Sequence, residues 1–232
     1  MEKQLLKQKK SIIPSCDVNS LEALSKLVKE TCSVKGVSAY KVGFELVIPF
    51  GAKEVIKTIR KHTNLPIIYD HQKAGTDIPE MGAKFMEACK GFDAVILFPQ
   101  AGPDTEKAWI KAAQDAKMHV IIGGEMTHNG YLNETGGFLE NNAPARIYEI
   151  AASMGVSEFV VPGNKPDKVM EYKKIIEKTI KEPVFYSPGL IAQGGKIMDL
   201  AKKLDRWHAI IGRAIYEAKD MKKAAEELAK EL

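Results

Sequence analysis

The chain has 232 residues, 45% of them hydrophobic and 28% charged, and its 34 Lys and Arg against 30 Asp and Glu give a formal net charge of +4. That is the profile of an ordinary globular protein able to bury its own core, and the only locally basic stretch, Lys3, Lys7, Lys9 and Lys10, reads as part of a polar tail over residues 1–10 and not as a nucleic-acid footprint. No apolar run reaches the roughly 18 residues that span a bilayer, and Cys16, Cys32 and Cys89 form no C-x-x-C pair, so a disulfide framework, a zinc site, a membrane span and a secretory leader are not expected and a cytoplasmic location is.

Taken in order, Ile12, Ile13 and Pro14 lead to Cys16 and Asp17 as a short buried strand ending in a carboxylate. Asn19 and Glu22 have capping-box spacing, and Leu21, Leu24, Leu27 and Val28 follow at helical period. Ala39 to Phe44 reads as a second strand carrying Lys41, and Ala52 to Arg60 as its helix. Pro66 to Tyr69 is a third strand, which delivers Asp70, Lys73 and Asp77 to its C-terminal end before a helix with Ile78, Met81, Phe85 and Cys89 on one face. Ala94 to Phe98 is a fourth strand with a helix from Thr105 to Ala116, and His119 to Met126 is a fifth. Thr127 to Ala143, rich in Gly and Asn, reads as a long loop that can cover a site, with a helix from Pro144. Glu158 to Pro162 with a helix from Pro166, Val184 to Pro188 with a helix carrying Ile197, Leu200 and Leu204, and Trp207 to Ile211 with a closing amphipathic helix complete the series. Eight strand-then-helix units imply parallel pairing with right-handed crossovers, and closing them predicts a single (β/α)8 barrel domain over residues 1–232.

In such a barrel, reacting groups sit at the C-terminal ends of the strands, and phosphate is often held after strands seven and eight. The strand ends here supply Asp17, Lys41, Asp70 with Lys73, Thr127, Gln193 and Arg213. Three ionisable groups within eight residues of an apolar strand read either as a mixed-charge array at a pocket mouth or as a surface ion pair on a loop. The last two loops, from Gly189 to Gly195 and at Gly212-Arg213, combine glycines that let backbone N–H groups approach an anion with a guanidinium suited to phosphate oxygens. His128 reads as an acid or base or as a solvated loop residue, and the five histidines share no metal-ligand spacing.

These residues resemble the orotidine 5′-monophosphate decarboxylase family, which shares its fold with the hexulose-phosphate synthases. The likeness spans nearly the whole chain and rests on Cys16-Asp17-Val18, Tyr40-Lys41-Val42-Gly43, Asp77-Ile78-Pro79, Glu125-Met126-Thr127-His128, Ser187-Pro188-Gly189 with Ala192-Gln193-Gly194-Gly195, and Ile211-Gly212-Arg213-Ala214. The resemblance implies cofactor-free, metal-free decarboxylation of orotidine 5′-monophosphate (OMP) to UMP in pyrimidine biosynthesis, by a homodimer that shares residues between its two sites. It implies that Asp17 bonds the ribose, that Lys41 bridges ribose and charge array, and that Lys73 works between Asp70 and the partner's copy of Asp77. It further implies that Thr127 bonds the pyrimidine where a Ser is usual, and that Gln193, Gly212 and Arg213 hold the phosphate. Two features depart from the family pattern. The acid-lysine-acid element, usually D-x-K-x-x-D, is here two residues longer, so the backbone must bulge for the array to survive, and Met81 stands where a Thr is usual. The competing readings are a Mg-dependent hexulose-phosphate synthase-like lyase, a branch that generally has an acid where Lys41 stands, and a non-catalytic nucleotide-binding homologue.

Overall fold

A computed structural model of the chain describes residues 4–71, 74–191 and 195–232. Eight strands pair in parallel: β1 (Lys10–Pro14), β2 (Tyr40–Gly43), β3 (Ile67–Asp70), β4 (Ala94–Leu97), β5 (His119–Gly123), β6 (Glu158–Val160), β7 (Val184–Ser187) and β8 (Trp207–Ile211), in the spatial order β1-β8-β7-β6-β5-β4-β3-β2. The two ends meet through bridges from Ile12 to Val37 and from Ser15 to Lys41, with the Cys16 N–H donating to the Lys41 carbonyl at 2.8 Å, so the sheet closes into the expected barrel. Around it lie α1 (Leu21–Thr31), α2 (Phe44–Phe50), α3 (Ala52–Arg60), α4 (Met81–Ala88), α5 (Pro103–Asp115), α6 (Ala143–Ser153), α7 (Pro166–Ile176), α8 (Ile197–Ala201), α9 (Arg213–Tyr216) and α10 (Met221–Ala229).

Several local expectations are corrected. The cap of α1 is Ser20, whose hydroxyl accepts from Ala23 N–H, so the capping signal lies one residue beyond Asn19. Sequence reasoning missed α2, which has no side-chain cap and carries Pro49 inside it. The closing helix is two pieces, a single turn after β8 and then α10. Ile78, expected to face inward, precedes its helix and is exposed. The described part of the N-terminal tail is not free either. Leu6 is buried in the barrel interior, and the Leu5 N–H donates to Glu158 Oε1 at 2.9 Å.

Alternation along each strand divides the apolar side chains into two sets. Ile13, Ala39, Ile68, Ile96, Ile121 and Ile210 point into the barrel, while their neighbours Ile12, Tyr40, Tyr69, Val95, Ile122 and Ala209 pack against the helices. The N-terminal end of the barrel is closed by buried polar groups that bond to one another, although His208 Nε2 has no hydrogen-bond partner among the described residues. Glu158 also accepts from Tyr186 OH at 2.8 Å, and His208 Nδ1 meets Ser11 Oγ at 2.7 Å. Burial, with Arg206 nearby, lowers the His208 imidazole to about 3, which keeps it neutral. Polar chemistry at the opposite, C-terminal end is what remains free for function.

Close packing under that end makes a sharp requirement of one glycine. A Cβ on Gly123 would lie 2.2 Å from Phe98 Cζ and 2.5 Å from two further atoms of the same ring. Phe98 also lines the central cavity, so the ring can yield only by moving into it. Gly123→Ala is therefore expected to lower stability by about 1–3 kcal/mol, the usual cost of overpacking. Chemical denaturation should show this, with most of the loss restored in the Gly123→Ala/Phe98→Leu double variant.

Candidate active site

The same alternation decides which polar residues face the barrel axis. On β1 and its extension Ile13, Ser15 and Asp17 share a face, on β2 Ala39 and Lys41, and on β3 Ile68 and Asp70. Adjacent registers, with Ser15 opposite Lys41 and Gly43 opposite Asp70, bring the three charges to one level. Lys41 Nζ lies 3.2 Å from Asp70 Oδ2 and 3.4 Å from Asp17 Oδ1, while Ser15 Oγ donates to Asp17 Oδ2 at 2.8 Å. The Lys41 side chain is only 5% exposed, against 13% for Asp70 and 41% for Asp17. Burial alone would pull its pKa down, but Asp70 and then Asp17 more than offset this and hold it above the ordinary lysine value. Lys41 is thus a fixed ammonium.

These residues line a cavity of about 240 Å3 at the C-terminal end of the barrel. Its apolar wall includes Ile96, Phe98, Val160 and Ile210, and its rim carries Met126, Thr127, Pro188, Gly189, Gly212, Arg213 and Tyr216. A Cβ on Gly212 would sit 3.2 Å from Tyr216 and 3.4 Å from Asp17 Oδ2, so a side chain there would crowd the cavity edge. The arrangement offers an apolar slot for a flat group, carboxylates and an ammonium at its base, and a guanidinium at its mouth. Among the described residues, no group of three or more His, Cys, Asp or Glu is placed to hold a metal ion.

Of the site residues expected from the sequence, Asp17, Lys41, Asp70, Thr127, Gly212 and Arg213 come together in this cavity. Lys73 and Gln193 lie outside the described residues. Asp77 is exposed and does not line the cavity; its carboxylate accepts from the Ile78 N–H at 2.7 Å. His128 is exposed and does not line it either. The lengthened segment is tied on both sides. His71 Nδ1 meets Tyr69 OH at 2.5 Å, and the Ala74 carbonyl accepts from the Phe98 N–H at 2.7 Å. Ser15 was not singled out from the sequence, although the β1 alternation does mark it, and Met126 and Tyr216 entered only as members of the motifs after strands five and eight, with no role of their own.

A second missed group stands behind Thr127. Glu125 is buried, and Lys165 Nζ donates to its Oε1 at 2.6 Å and to the Met126 carbonyl at 3.1 Å. Tyr172 OH donates to Glu125 Oε2, and Asn164 Nδ2 donates to the Thr127 carbonyl at 3.0 Å. Three consecutive residues after β5 are therefore held from the segment after β6 and from α7. The partners lie some 40 positions apart in sequence, which no motif spacing reveals.

Comparison with known proteins agrees with the geometry. A family model described as "Orotidine 5'-phosphate decarboxylase / HUMPS family" matches residues 10–228. The orotidine 5′-phosphate decarboxylase of Methanocaldococcus jannaschii is 35% identical over 193 residues, 82% of this chain and 84% of that protein. Its counterpart in Methanosarcina mazei is 33% identical over 223 residues, 95% of this chain and 94% of that one. The crystal structure of the M. jannaschii orotidine 5′-monophosphate decarboxylase complexed with inhibitor BMP superimposes with a TM-score of 0.84 at 31% identity, covering 96% of this chain and 98% of that one.

The Glu125–Lys165 pair is open to a direct test. Lys165→Met leaves a buried carboxylate without its cation and is expected to destabilise the protein by about 3 kcal/mol. The Glu125→Gln/Lys165→Met double variant removes the uncompensated charge, and denaturant titration should show it recovering more than half of that loss.

Proposed function

The chain belongs to the orotidine 5′-phosphate decarboxylase / HUMPS family, and from that premise we propose that it converts OMP to UMP and carbon dioxide with side chains alone. The observation that carries this reading is the Lys41 ammonium buried between Asp17 and Asp70 in a cavity whose rim bears Arg213. The named relatives are orotidine 5′-phosphate decarboxylases, and the acid that the lyase alternative needs is a lysine at position 41.

In the proposed complex, Arg213, Gly212 and Gln193 hold the phosphate, Asp17 and Lys41 hold the ribose hydroxyls, and Thr127 bonds the pyrimidine edge. Decarboxylation breaks the bond from C6 to the carboxylate carbon and leaves the electron pair on C6. Lys73, beside C6, stabilises that charge as an ammonium and then gives its proton to the carbon; solvent returns a proton to the amine. Asp70 crowds the substrate carboxylate and keeps the lysines charged. Phosphate contacts far from C6 supply binding energy that appears as rate.

Asp77 does not line the cavity of its own chain, so its part in the array requires a second copy, and the proposed assembly is a homodimer. Exposed Phe44 and Ile48 on α2 and exposed Ile78 beside Asp77 follow neighbouring strands and provide apolar surface at that end of the barrel. The proposed setting is the cytoplasm, and no helix of the described residues is long and apolar enough to cross a membrane.

Three measurements test this. Mixed with OMP in the presence of a chelator, the protein should consume the substrate's ultraviolet absorbance and yield UMP. Binding of UMP with no turnover would identify a non-catalytic homologue, and activity lost to chelation would restore the metal-dependent lyase. Arg213→Ala should lower kcat as well as raise KM, with kcat/KM reduced about ten- to a hundred-fold, the worth of a hydrogen bond to a charged group; a raised KM at unchanged kcat contradicts the role. Lys73→Ala and Asp77→Asn, each nearly inactive alone, should regain up to about a quarter of native activity when mixed, because one site of each mixed dimer is intact. Sustained inactivity of the mixture rules out a shared site.

A further inference from the structure

A second cavity, of about 260 Å3, shares no lining residue with the first. It opens between the start of α5, the start of α6 and residues 138–140, and Pro99, Pro103, Leu139, Ala143, Ile147 and Ile150 make its apolar walls. One side chain there is out of keeping with the rest. Glu106 is 1% exposed, and its Oε1 is buried with no hydrogen-bond partner among the described residues. An unpaired buried carboxylate is costly, and the group responds by holding its proton. Burial pushes the carboxyl up to about 8, with Lys107 pulling the other way. At neutral pH one acidic O–H and one carbonyl oxygen therefore stand in the wall of the cavity, in apolar surroundings, where a ligand reaches them by a turn of the Glu106 side chain. At its mouth, Phe138 is fully exposed, and Arg146 and Glu140 form an ion pair at 3.8 Å.

We propose that this cavity binds a small uncharged ring compound bearing a cyclic amide, whose adjacent C=O and N–H pair with the Glu106 carboxyl while Phe138 closes over the ring. The pairing satisfies both oxygens at once, which a pure hydrocarbon cannot do. An amine would require the carboxyl to ionise against its own burial and would meet Arg146 at the entrance. A carboxylate ligand would face Glu106 and Glu140. A planar ring fits a slot lined by proline and isoleucine side chains, and an aromatic lid adds face-to-face or edge-to-face contact. The residues involved have no part in the proposed decarboxylation.

The probe is 2-pyridone, a planar cyclic amide, titrated into the full-length protein carrying labelled isoleucine methyl groups. Saturable shifts are expected at Ile147 and Ile150; shifts confined to Ile96 and Ile210, in the central cavity, would overturn the proposal, as would no shifts at all. Glu106→Gln keeps a donor and an acceptor and should bind within about three-fold of the native protein, whereas Glu106→Leu should lose about ten-fold or more, the worth of roughly 1.4 kcal/mol. Both should turn over OMP as the native protein does. Should Glu106→Leu fail to fold, Ala143→Phe fills the cavity from the opposite wall and should abolish the Ile147 and Ile150 shifts. Equal affinity in native and Leu or Phe variants, or tighter binding of cyclohexylamine than of 2-pyridone, contradicts the assignment.

Discussion

A lysine ammonium taken out of water between two carboxylates is the constraint to which the rest of this barrel is fitted. At 3.2 Å from Asp70, the attraction is worth about 5 kcal/mol at an effective dielectric of 20. Desolvating the ions costs several kcal/mol each, so the cluster gains little stability and would be cheaply replaced by apolar side chains. In the proposed function that cost is tolerated because the cluster is where substrate is held. The Ser15 hydroxyl and the partial exposure of Asp17 lighten the burden by leaving that carboxylate in touch with water.

Three strands must agree in phase for this to exist. A one-residue slip of β2 against β1 would turn Lys41 out among the helices and Val42 into the cavity. The apolar layer below prevents it, since Ile13, Ala39, Ile68, Ile96 and Ile210 interlock inside the barrel only in the observed register. Below that layer, Glu158, Tyr186, His208 and the Leu5–Leu6 segment close the other end. The barrel is thus graded along its axis, from a polar plug through a dry middle to a charged mouth. The loops at the mouth are held from behind, as the bonds from Asn164 and Lys165 to Thr127 and Met126 show.

Much of this was legible in the sequence because buried parallel strands are short apolar runs, and the runs here stop at a charge, a glycine or a proline. Asp17, Lys41 and Asp70 could be read as strand-end groups for that reason. What escaped was information carried by tertiary contact. Glu125 and Lys165 find one another across 40 residues, and Lys165 on paper is only the residue before a helix-starting proline. Leu5 and Leu6 were lost among lysines, although one of them enters the core. The short helix α2 lacks a cap and contains a proline, so its local signals oppose a helix that packing nevertheless enforces. Ile78 has helical spacing with Met81 and Phe85, but the chain turns before it can use that spacing.

The longer acid-lysine-acid segment can be narrowed further. Up to His71 the strand keeps its alternation, with Asp70 facing the cavity and His71 bonded to Tyr69. From Ala74 the chain is again fixed, because the Phe98 N–H binds its carbonyl and Gly75, at φ +90°, packs where a Cβ would lie 3.1 Å from Pro99 Cα. The added residue before Lys73 therefore falls, in sequence, between these two fixed points and outside the described residues. The added residue after it falls between Ala74 and Asp77, beyond the cavity. In the proposed mechanism, lengthening on the first side bears on the lysine that protonates the substrate, and on the second side on the reach of Asp77 toward the proposed second copy. The two insertions are thus separable, and in the proposed mechanism proton delivery from Lys73 depends on the first.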